Sequence, residues 1–242
     1  MTGNETLARG AWMLAGSLIL AGVAPPAAAA GDARADRIEG TWMPDRYPGR
    51  LLAEDGSAPP LTPEAAKLYA DRIAAHDDPD RQYDRTRWCA GPGIPRIMFI
   101  PYPFEIRADE DLIGFIYAWY RWHRVVDMSG REPDPILPQT MGYPVGRWDG
   151  DTLVIETIGT TDETTLDEFG LPHSEDMVLT EKLDLLPDGK LRATYTIDDA
   201  AFYTRPWTVE MTYTRVPEVV VGDDVCPDRI AAGEPAVRSM QP

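Results

Sequence analysis

Two hairpin turns set between alternating runs constrain the fold of this chain more than any other sequence feature. The first turn is Asp149-Gly150 and the second is Pro187-Asp188-Gly189. Asp-Gly between alternating apolar and polar residues is a strong hairpin signal, because glycine accepts the positive φ that tight hairpin turns require. The flanking runs are 142–147 and 152–158 for the first turn, and 176–186 and 190–198 for the second. These runs are therefore predicted to form antiparallel strand pairs.

The rest of the chain predicts further short strands and a single helix. The additional strands are predicted at 37–42, 96–100, 104–107, 112–128 and 207–215, with 112–128 either one bent strand or a pair meeting near Tyr120. The helix is predicted at 62–76, because Thr62 can cap it and Pro63 fits its first position. Eight or nine strands joined by short turns favour a mainly β fold, an antiparallel up-and-down barrel of the lipocalin-like kind, since closure removes exposed strand edges. A two-sheet β-sandwich is the alternative.

The N-terminus and the overall charge indicate an exported protein. Residues 1–30 contain an apolar run at 11–24 and three alanines that end at Ala30, which is the pattern of a cleaved signal peptide. Residues 31–242 then form one domain in the periplasm or outside the cell, with 216–242 as a C-terminal tail and no later run long enough to span a membrane. The formal charge of −17 argues against nucleic acid as a partner, because such binding depends on Lys and Arg. The sequence leaves open a homodimer.

Cys89 and Cys226 are the two cysteines of the chain. Because export leads to an oxidising compartment, we expect them to form a disulfide that ties the tail to the body of the fold. Two buried free thiols are the alternative. Neither residue lies in a C-x-x-C motif or beside a histidine, so zinc binding and redox catalysis have no support.

Alternation sorts the side chains of the later strands into an inner and an outer face. The predicted inward residues are Met177, Leu179, Glu181, Leu183 and Leu185, then Leu191, Ala193, Tyr195 and Ile197, then Trp207, Val209, Met211 and Tyr213. Glu181 is the exception among them, because a carboxylate on an apolar face has to pair with a cation or raise its pKa. A raised pKa suits a general acid or base. An ion pair with Arg121 or Arg96 is the alternative, as is a place at the barrel rim.

Histidines near the predicted barrel mouth are the other candidates for chemistry. His173 lies in the polar loop before the strand of Glu181, where it can transfer a proton near neutral pH or simply hydrogen bond to the backbone. Asp167 lies in the same loop and can orient it. In the aromatic strand, alternation places Arg121 and His123 on the inner face as further catalytic candidates, unless a bulge intervenes.

Aromatic side chains are predicted to line a ligand pocket, or otherwise to pack as ordinary core. They are Tyr117, Trp119, Tyr195, Trp207 and Tyr213, with Asp167 as a polar ligand-binding residue. Two histidines and a carboxylate can bind a metal, but their spacing fits no known motif, so no metal site is predicted. The sequence has no phosphate loop, dinucleotide fingerprint or calcium loop, and no cofactor is expected.

Several short motifs occur together in the central region and upstream of it. They are Gly146-Arg147-Trp148-x-Gly150-Asp151-Thr152-Leu153-Val154, Gly170-x-Pro172-His173-Ser174-Glu175, Glu181, Ile197-Asp198-Asp199, Tyr203 and Pro206-Trp207, with Cys89 and Pro92-Gly93-x-Pro95-Arg96 upstream. This set resembles a family of exported bacterial proteins of unknown function, over about half of the mature chain. Gly40-Thr41-Trp42 also resembles the G-x-W of lipocalins, in which the tryptophan plugs one end of the barrel. The first resemblance implies no particular activity, and the second bears on the fold alone.

Two functions from different classes fit these features. The first is a cofactor-free enzyme that acts on a small, partly aromatic or hydrophobic molecule by lyase, isomerase or hydratase chemistry. In it His173 is base or acid, Glu181 its complement, and Arg121 the holder of an anionic group. The second is a non-catalytic periplasmic carrier or sensor of a small molecule, and a structural envelope protein with a filled barrel is a third. Two ionisable groups near one barrel mouth favour the enzyme, because a carrier of apolar ligands does not need them.

Overall fold

The computed structural model describes Met1 and residues 32–78, 83–109, 111–133, 137–222 and 225–234. The signal peptide predicted at 1–30 lies outside these residues, apart from Met1. The strands in the described part are β1 (Gly40–Pro44), β2 (Phe104–Ala108), β3 (Leu112–Tyr117), β4 (His123–Asp127), β5 (Tyr143–Asp149), β6 (Thr152–Ile158), β7 (Val178–Leu185), β8 (Leu191–Asp198) and β9 (Trp207–Arg215). The α-helices there are α1 (Ala33–Ile38), α2 (Pro63–Ala74) and α3 (Cys226–Ala231).

Hydrogen bonding joins the strands in sequence order into a closed barrel, because β9 also pairs with β1. An odd number of strands cannot alternate in direction around a ring, so one neighbouring pair has to be parallel. β4 and β5 form that pair, with Asp127 opposite Val145, and the other pairs are antiparallel. The predicted mainly β, up-and-down barrel is confirmed.

Both predicted hairpins are present in the barrel wall. β5 and β6 pair across a turn in which Gly150 has a φ of 59°, and β7 and β8 pair from Val178 opposite Asp198 to Leu185 opposite Leu191. Every residue predicted to face inward in β7, β8 and β9 is buried, except Leu185, which is half-buried. The alternation of apolar residues therefore identifies the inner face of these strands correctly.

α1 lies at one end of the barrel and includes residues that were predicted to begin the first strand. Residues up to Ile38 are helical, so the strand predicted at 37–42 begins only at Gly40. Arg37 pairs with Asp151 at 3.0 Å in the β5–β6 turn, which places the helix against that end. Trp42 is fully buried beneath it and donates from Nε1 to the carbonyl of Ile38 at 2.9 Å. A helix thus closes the end at which β1 begins.

The long connection from β1 to β2 covers the opposite end. It contains α2, close to its predicted bounds, and Thr62 caps this helix by accepting from the backbone N–H of Ala65 at 3.3 Å. The strand predicted at 96–100 is wrong, because Arg96–Met98 forms a turn of 3₁₀-helix. Met98 is fully buried, and its carbonyl accepts from the hydroxyl of Tyr213 at 3.1 Å. This apolar segment fills the barrel end instead of pairing in the sheet.

A disulfide joins Cys89 to Cys226, as predicted, across a sequence separation of 137 residues. Cys226 begins α3, so the bond fixes the described part of the C-terminal tail to the loop that precedes the 3₁₀ turn at Arg96. Among the described helices, none has the length and apolar character needed to span a membrane.

Candidate functional site

A buried ion pair lies at the centre of the barrel. Glu181 on β7 faces inward, as predicted, and its side chain and that of Arg124 on β4 are both fully buried. Arg124 Nη2 donates to Glu181 Oε1 at 3.0 Å, and Nη1 donates to Oε2. The partner is therefore neither Arg121 nor Arg96. Burial by itself lowers the pKa of Arg124, but the charge of Glu181 and its hydrogen bond, together with Tyr117 and Tyr195, more than offset this and raise the pKa above its usual range.

Three of the predicted pocket tyrosines, Tyr117, Tyr195 and Tyr213, surround this ion pair. The hydroxyls of Tyr195 and Tyr213 lie 2.6 Å apart, and because Tyr213 donates to the carbonyl of Met98, Tyr195 is the donor between the two. Burial raises the pKa of all three phenols, and the nearby charge of Glu181 adds to that effect, so they remain protonated. These tyrosines are at most 2% exposed and fill the barrel centre as packed, mostly hydrogen-bonded core.

Arg121 and His123 lie on the outside of the barrel, which corrects their predicted inward position. β3 ends at Tyr117, and Tyr120 and Arg121 then adopt positive φ values of 53° and 64°. This turn shifts the alternation by one residue, so that Arg124 points inward and both predicted residues are exposed. Neither Arg121 nor His123 therefore reaches the barrel interior.

His173 is buried in the loop between β6 and β7, at the barrel end opposite α1, and is 3% exposed. Its Nδ1 lies 3.0 Å from the carbonyl oxygen of Ser174, and its Nε2 lies 2.8 Å from Thr164 Oγ1. Because a carbonyl oxygen only accepts hydrogen bonds, Nδ1 carries the proton of the neutral ring. Nε2 then presents its lone pair to the Thr164 hydroxyl.

The surroundings of His173 keep its ring neutral. Burial lowers the pKa of His173 below its usual value, and Arg72 acts in the same direction. The hydrogen bond to Ser174 and the charges of Asp199 and Asp162 oppose this shift without cancelling it. A neutral imidazole with one nitrogen held by a carbonyl is the form that accepts a proton, so His173 is a candidate base.

Thr164 connects His173 to a narrow cleft between two loops, which we call the His173 cleft. The cleft is lined by Tyr83, Asp84, Arg85, Thr86, Gly91, Pro92, Arg96, Glu163, Thr164 and Thr165. Its volume of about 10 Å³ leaves room for about one water molecule. Arg85 and Glu163 come from its two sides and form an ion pair, with side chains 50% and 60% exposed. The cleft therefore meets solvent at this pair.

The inner wall of the His173 cleft is a second buried ion pair. Arg96 donates to both carboxylate oxygens of Asp84, at 3.0 and 2.7 Å, and to Thr165 Oγ1 at 3.1 Å. Burial raises the pKa of Asp84, but hydrogen bonds and charge from Arg96 more than offset this, so it lies below its usual range. The sequence gives no signal for Asp84, Thr164 or Thr165 as site residues, because the two loops lie far apart in the chain and share no motif.

Asp167, predicted to bind ligand, holds the surrounding loops together. Its Oδ2 accepts from the Tyr69 hydroxyl at 2.6 Å and from the N–H of Leu51 at 3.2 Å, and its Oδ1 accepts from the N–H groups of Phe169 and Leu171 at 3.0 Å. Burial raises the pKa of Asp167, although these hydrogen bonds oppose that shift. Its carboxylate is thus committed to donors of the protein.

Trp119 and Trp207, also predicted to line a pocket, are 6% and 2% exposed. Trp119 packs edge-on against Tyr102, and Trp207 lies 5.4 Å from the ring of Tyr203. Neither indole Nε1 has a hydrogen-bond partner among the described atoms. An unpaired buried N–H is costly, so each marks a position where an acceptor would bind favourably.

The predicted site residues therefore fall into separate groups. Glu181 lies with Tyr117, Tyr195 and Tyr213 in the barrel centre, whereas His173 hydrogen bonds to Thr164 and Ser174 in the loops. Among the described residues, no three His, Cys, Asp or Glu side chains are grouped so as to hold a metal ion.

Comparison of the chain with models of known protein families gives no match, and comparison with curated proteins gives no similar protein. Because many functions share barrel folds, the activity has to be inferred from the site itself.

Proposed function

We propose that the protein is a cofactor-free enzyme that acts on a small, partly aromatic or hydrophobic molecule by acid–base chemistry of the lyase, isomerase or hydratase type. His173 is the base. The observation that carries this proposal is its neutral ring, with Nδ1–H donated to Ser174 and Nε2 directed at the Thr164 hydroxyl in the wall of a polar cleft. A nitrogen oriented in this way is the usual arrangement of a catalytic histidine.

The proton path in this proposal leads from the His173 cleft through Thr164. The Thr164 hydroxyl lines the cleft and lies between it and Nε2 of His173, so a proton from the substrate reaches the ring through that hydroxyl. Arg96 contributes N–H donors, and because Asp84 balances its charge, it suits a neutral carbonyl or hydroxyl oxygen better than a free anion.

Substrate entry requires the two loops to move apart where Arg85 and Glu163 pair. An ion pair this exposed stabilises a structure by about 0–1 kcal/mol, so its separation costs little. Glu181 enters the proposal as a stabilising residue of the barrel and not as the complement of His173, because its carboxylate is bound to Arg124.

We also propose that the protein works in the periplasm or outside the cell. The disulfide between Cys89 and Cys226 supports this location, because disulfides persist in oxidising compartments.

Solvent exchange tests the acid–base activity even while the product is unidentified. Native mass spectrometry of the purified protein identifies the ligand class, and a panel of related aromatic carbonyl compounds is then incubated in D₂O and followed by NMR. The wild type should catalyse deuterium incorporation or product formation, and His173→Gln should lower that rate about 100-fold or more. His123→Gln, a matched replacement at an exposed position on the outside of the barrel, should retain it.

Two results would overturn the proposal. One is a His173→Gln rate equal to that of the wild type. The other is a co-purified ligand that the wild type retains without exchange or conversion.

A non-catalytic carrier or sensor is the second candidate, and the unpaired indole N–H groups of Trp119 and Trp207 favour it. In that case Trp119→Phe, which removes the N–H and keeps an aromatic ring, should weaken ligand binding about 5-fold or more, whereas His173→Gln should bind normally. Unchanged affinity in the Trp119 variant would contradict a carrier of this kind.

A further inference from the structure

The Thr164 hydroxyl has one proton and two acceptors within reach. Its Oγ1 lies 2.8 Å from His173 Nε2 and 3.2 Å from the carbonyl oxygen of Thr161. A hydroxyl donates one hydrogen bond but also accepts, and its hydrogen turns to suit its partners. Thr164 therefore has to donate either to His173 or to Thr161.

The protonation state of His173 decides between these two arrangements. When the ring is neutral, Nδ1–H donates to Ser174 and Nε2 needs a donor, which is the Thr164 hydroxyl. When the ring is protonated, Nε2–H needs an acceptor, which is Thr164 Oγ1, and the hydroxyl then donates to the Thr161 carbonyl. The same heavy-atom positions satisfy both states.

We propose that Thr164 is the positioning residue of His173. By turning its hydroxyl between His173 and Thr161, Thr164 keeps Nε2 hydrogen bonded both before and after the ring gains a proton. Both side chains are buried, with Thr164 8% and His173 3% exposed, so the Thr164 hydroxyl and not bulk solvent is the partner of Nε2. A buried imidazolium without an acceptor for Nε2–H would be strongly disfavoured. This inference deepens the proposed role of His173 as a base, because a base has to be stable in its protonated form too.

Packing holds Thr164 at the distance that this role requires. A Cβ atom at Gly93 would lie 2.6 Å from Thr164 Oγ1 and 2.9 Å from its Cγ2, so only glycine fits at that position. Gly93 also has a φ of +79°, which disfavours other residues. The threonine thus packs directly on the backbone of the loop that carries Arg96.

The charged groups around His173 act independently of the Thr164 hydroxyl. Asp199 and Asp162 raise the pKa of His173, and Arg72 from α2 lowers it. Asp199 is itself fixed by the backbone N–H and hydroxyl of Ser174, at 2.7 and 2.9 Å. Replacement of Thr164 leaves these groups in place, so a change in titration can be assigned to the lost hydroxyl.

NMR titration of the imidazole nitrogens tests this inference without any substrate. The protein is labelled with ¹⁵N-histidine, and the His173 signals are assigned by their loss in His173→Gln. The neutral ring should carry its proton on Nδ1. Thr164→Val, which keeps the shape and removes the hydroxyl, should lower the midpoint of the His173 titration by about one pH unit, because a hydrogen bond to a charged group is stronger than one to a neutral group. Thr164→Ser should restore the midpoint of the wild type.

The signals of His76 and His123 serve as internal controls for an unchanged fold, and at a fixed pH their positions should be the same in all variants. A neutral ring with its proton on Nε2, or a Thr164→Val titration identical to that of the wild type, would overturn the inference. The tautomer is measured on the unmodified protein, so the test stands even if Thr164→Val folds poorly. A shifted titration without any enzymatic activity would support this inference while contradicting the proposed enzyme. Enzymatic activity together with an unshifted titration would support the proposed enzyme while contradicting this inference.

Discussion

Arg124 and Glu181 form a two-point hydrogen-bonded ion pair inside the barrel, and both side chains are fully buried. They come from β4 and β7, which are not neighbours in the wall, so the pair links separate parts of the sheet across the interior. The guanidinium of Arg124 also lies 4.3 Å from the centre of the Phe115 ring. Two charges held in this way stabilise the fold only as long as both are present.

Removal of one member of this pair should be far more costly than removal of both. Arg124→Leu and Glu181→Leu should each lower the free energy of unfolding by about 3–5 kcal/mol, because the remaining charge is buried without a partner. The double variant should lose less than the sum of the two, since no unpaired charge remains. Urea unfolding of the four proteins gives the coupling energy directly.

The exposed pair of Arg131 with Asp127 provides the control for this cycle. The side chain of Arg131 is 78% exposed, so Arg131→Ala should leave the free energy of unfolding nearly unchanged. Strict additivity at Arg124 and Glu181 would show that the buried charges do not interact.

The wall of the barrel follows from local sequence signals, whereas the site does not. Asp149-Gly150 and the regular alternation of β7 to β9 predict the hairpins and the inner face, because turn type and strand period act over a few residues. The same alternation predicts the inward position of Glu181. It does not predict Arg124 as the partner of Glu181. The positive φ of Tyr120 and Arg121 in the turn between β3 and β4 shifts the inward positions from odd to even residue numbers.

The loops at the barrel end opposite α1 depend on contacts between distant segments. Met98 lies in a run whose sequence resembles a strand, but the apolar side chains of this run pack into the barrel end. The carbonyl of Met98 accepts a hydrogen bond from the Tyr213 hydroxyl. Thr164 and Arg96 come together in the His173 cleft from loops about seventy residues apart, where no spacing rule applies. His173 is therefore predictable from the sequence as an ionisable loop residue, whereas the groups that set its chemistry are not.

Loss of the disulfide should weaken the fold because it closes a long loop. Cys89 and Cys226 are 137 residues apart, so the bond restricts the unfolded chain strongly. Replacement of both by serine should lower the free energy of unfolding by about 2–4 kcal/mol, measured by thermal or urea unfolding under oxidising conditions. Dithiothreitol should destabilise the wild type to a similar extent and leave the double variant unchanged. A wild type that is indifferent to reductant would contradict this expectation.

Gly146 should be required for the close packing of β4 against β5, the parallel pair of strands in the barrel. A Cβ atom there would lie 2.8 Å from Val126 Cγ1 and even closer to the sulfur of Met128, so it would push the two strands apart. Gly146→Ala should therefore lower the free energy of unfolding by about 1–3 kcal/mol in urea titrations. Gly114→Ala on β3 is the matched control, because a Cβ atom there meets its nearest neighbour at an ordinary 3.7 Å. Equal losses in the two variants would show that this pair of strands has room to adjust.

The buried His173 should make the free energy of unfolding depend on pH in the range where the folded and unfolded proteins differ in the protonation of this residue. Burial lowers the pKa of His173 in the folded protein, so the unfolded chain binds the proton first as pH falls. The stability associated with the neutral ring is therefore fully present at pH values above the pKa of histidine in the unfolded chain, about 6.5. It is lost as the pH falls through the pKa of His173 in the folded protein. Urea unfolding between about pH 7.5 and pH 5 should show a wild-type advantage over His173→Gln that shrinks with acidification. Because both proteins share every other titrating group, including Asp84 and Asp167, the difference between their stabilities isolates His173. A difference that does not change over this range would mean that the folded protein holds the proton of His173 as readily as the unfolded chain does.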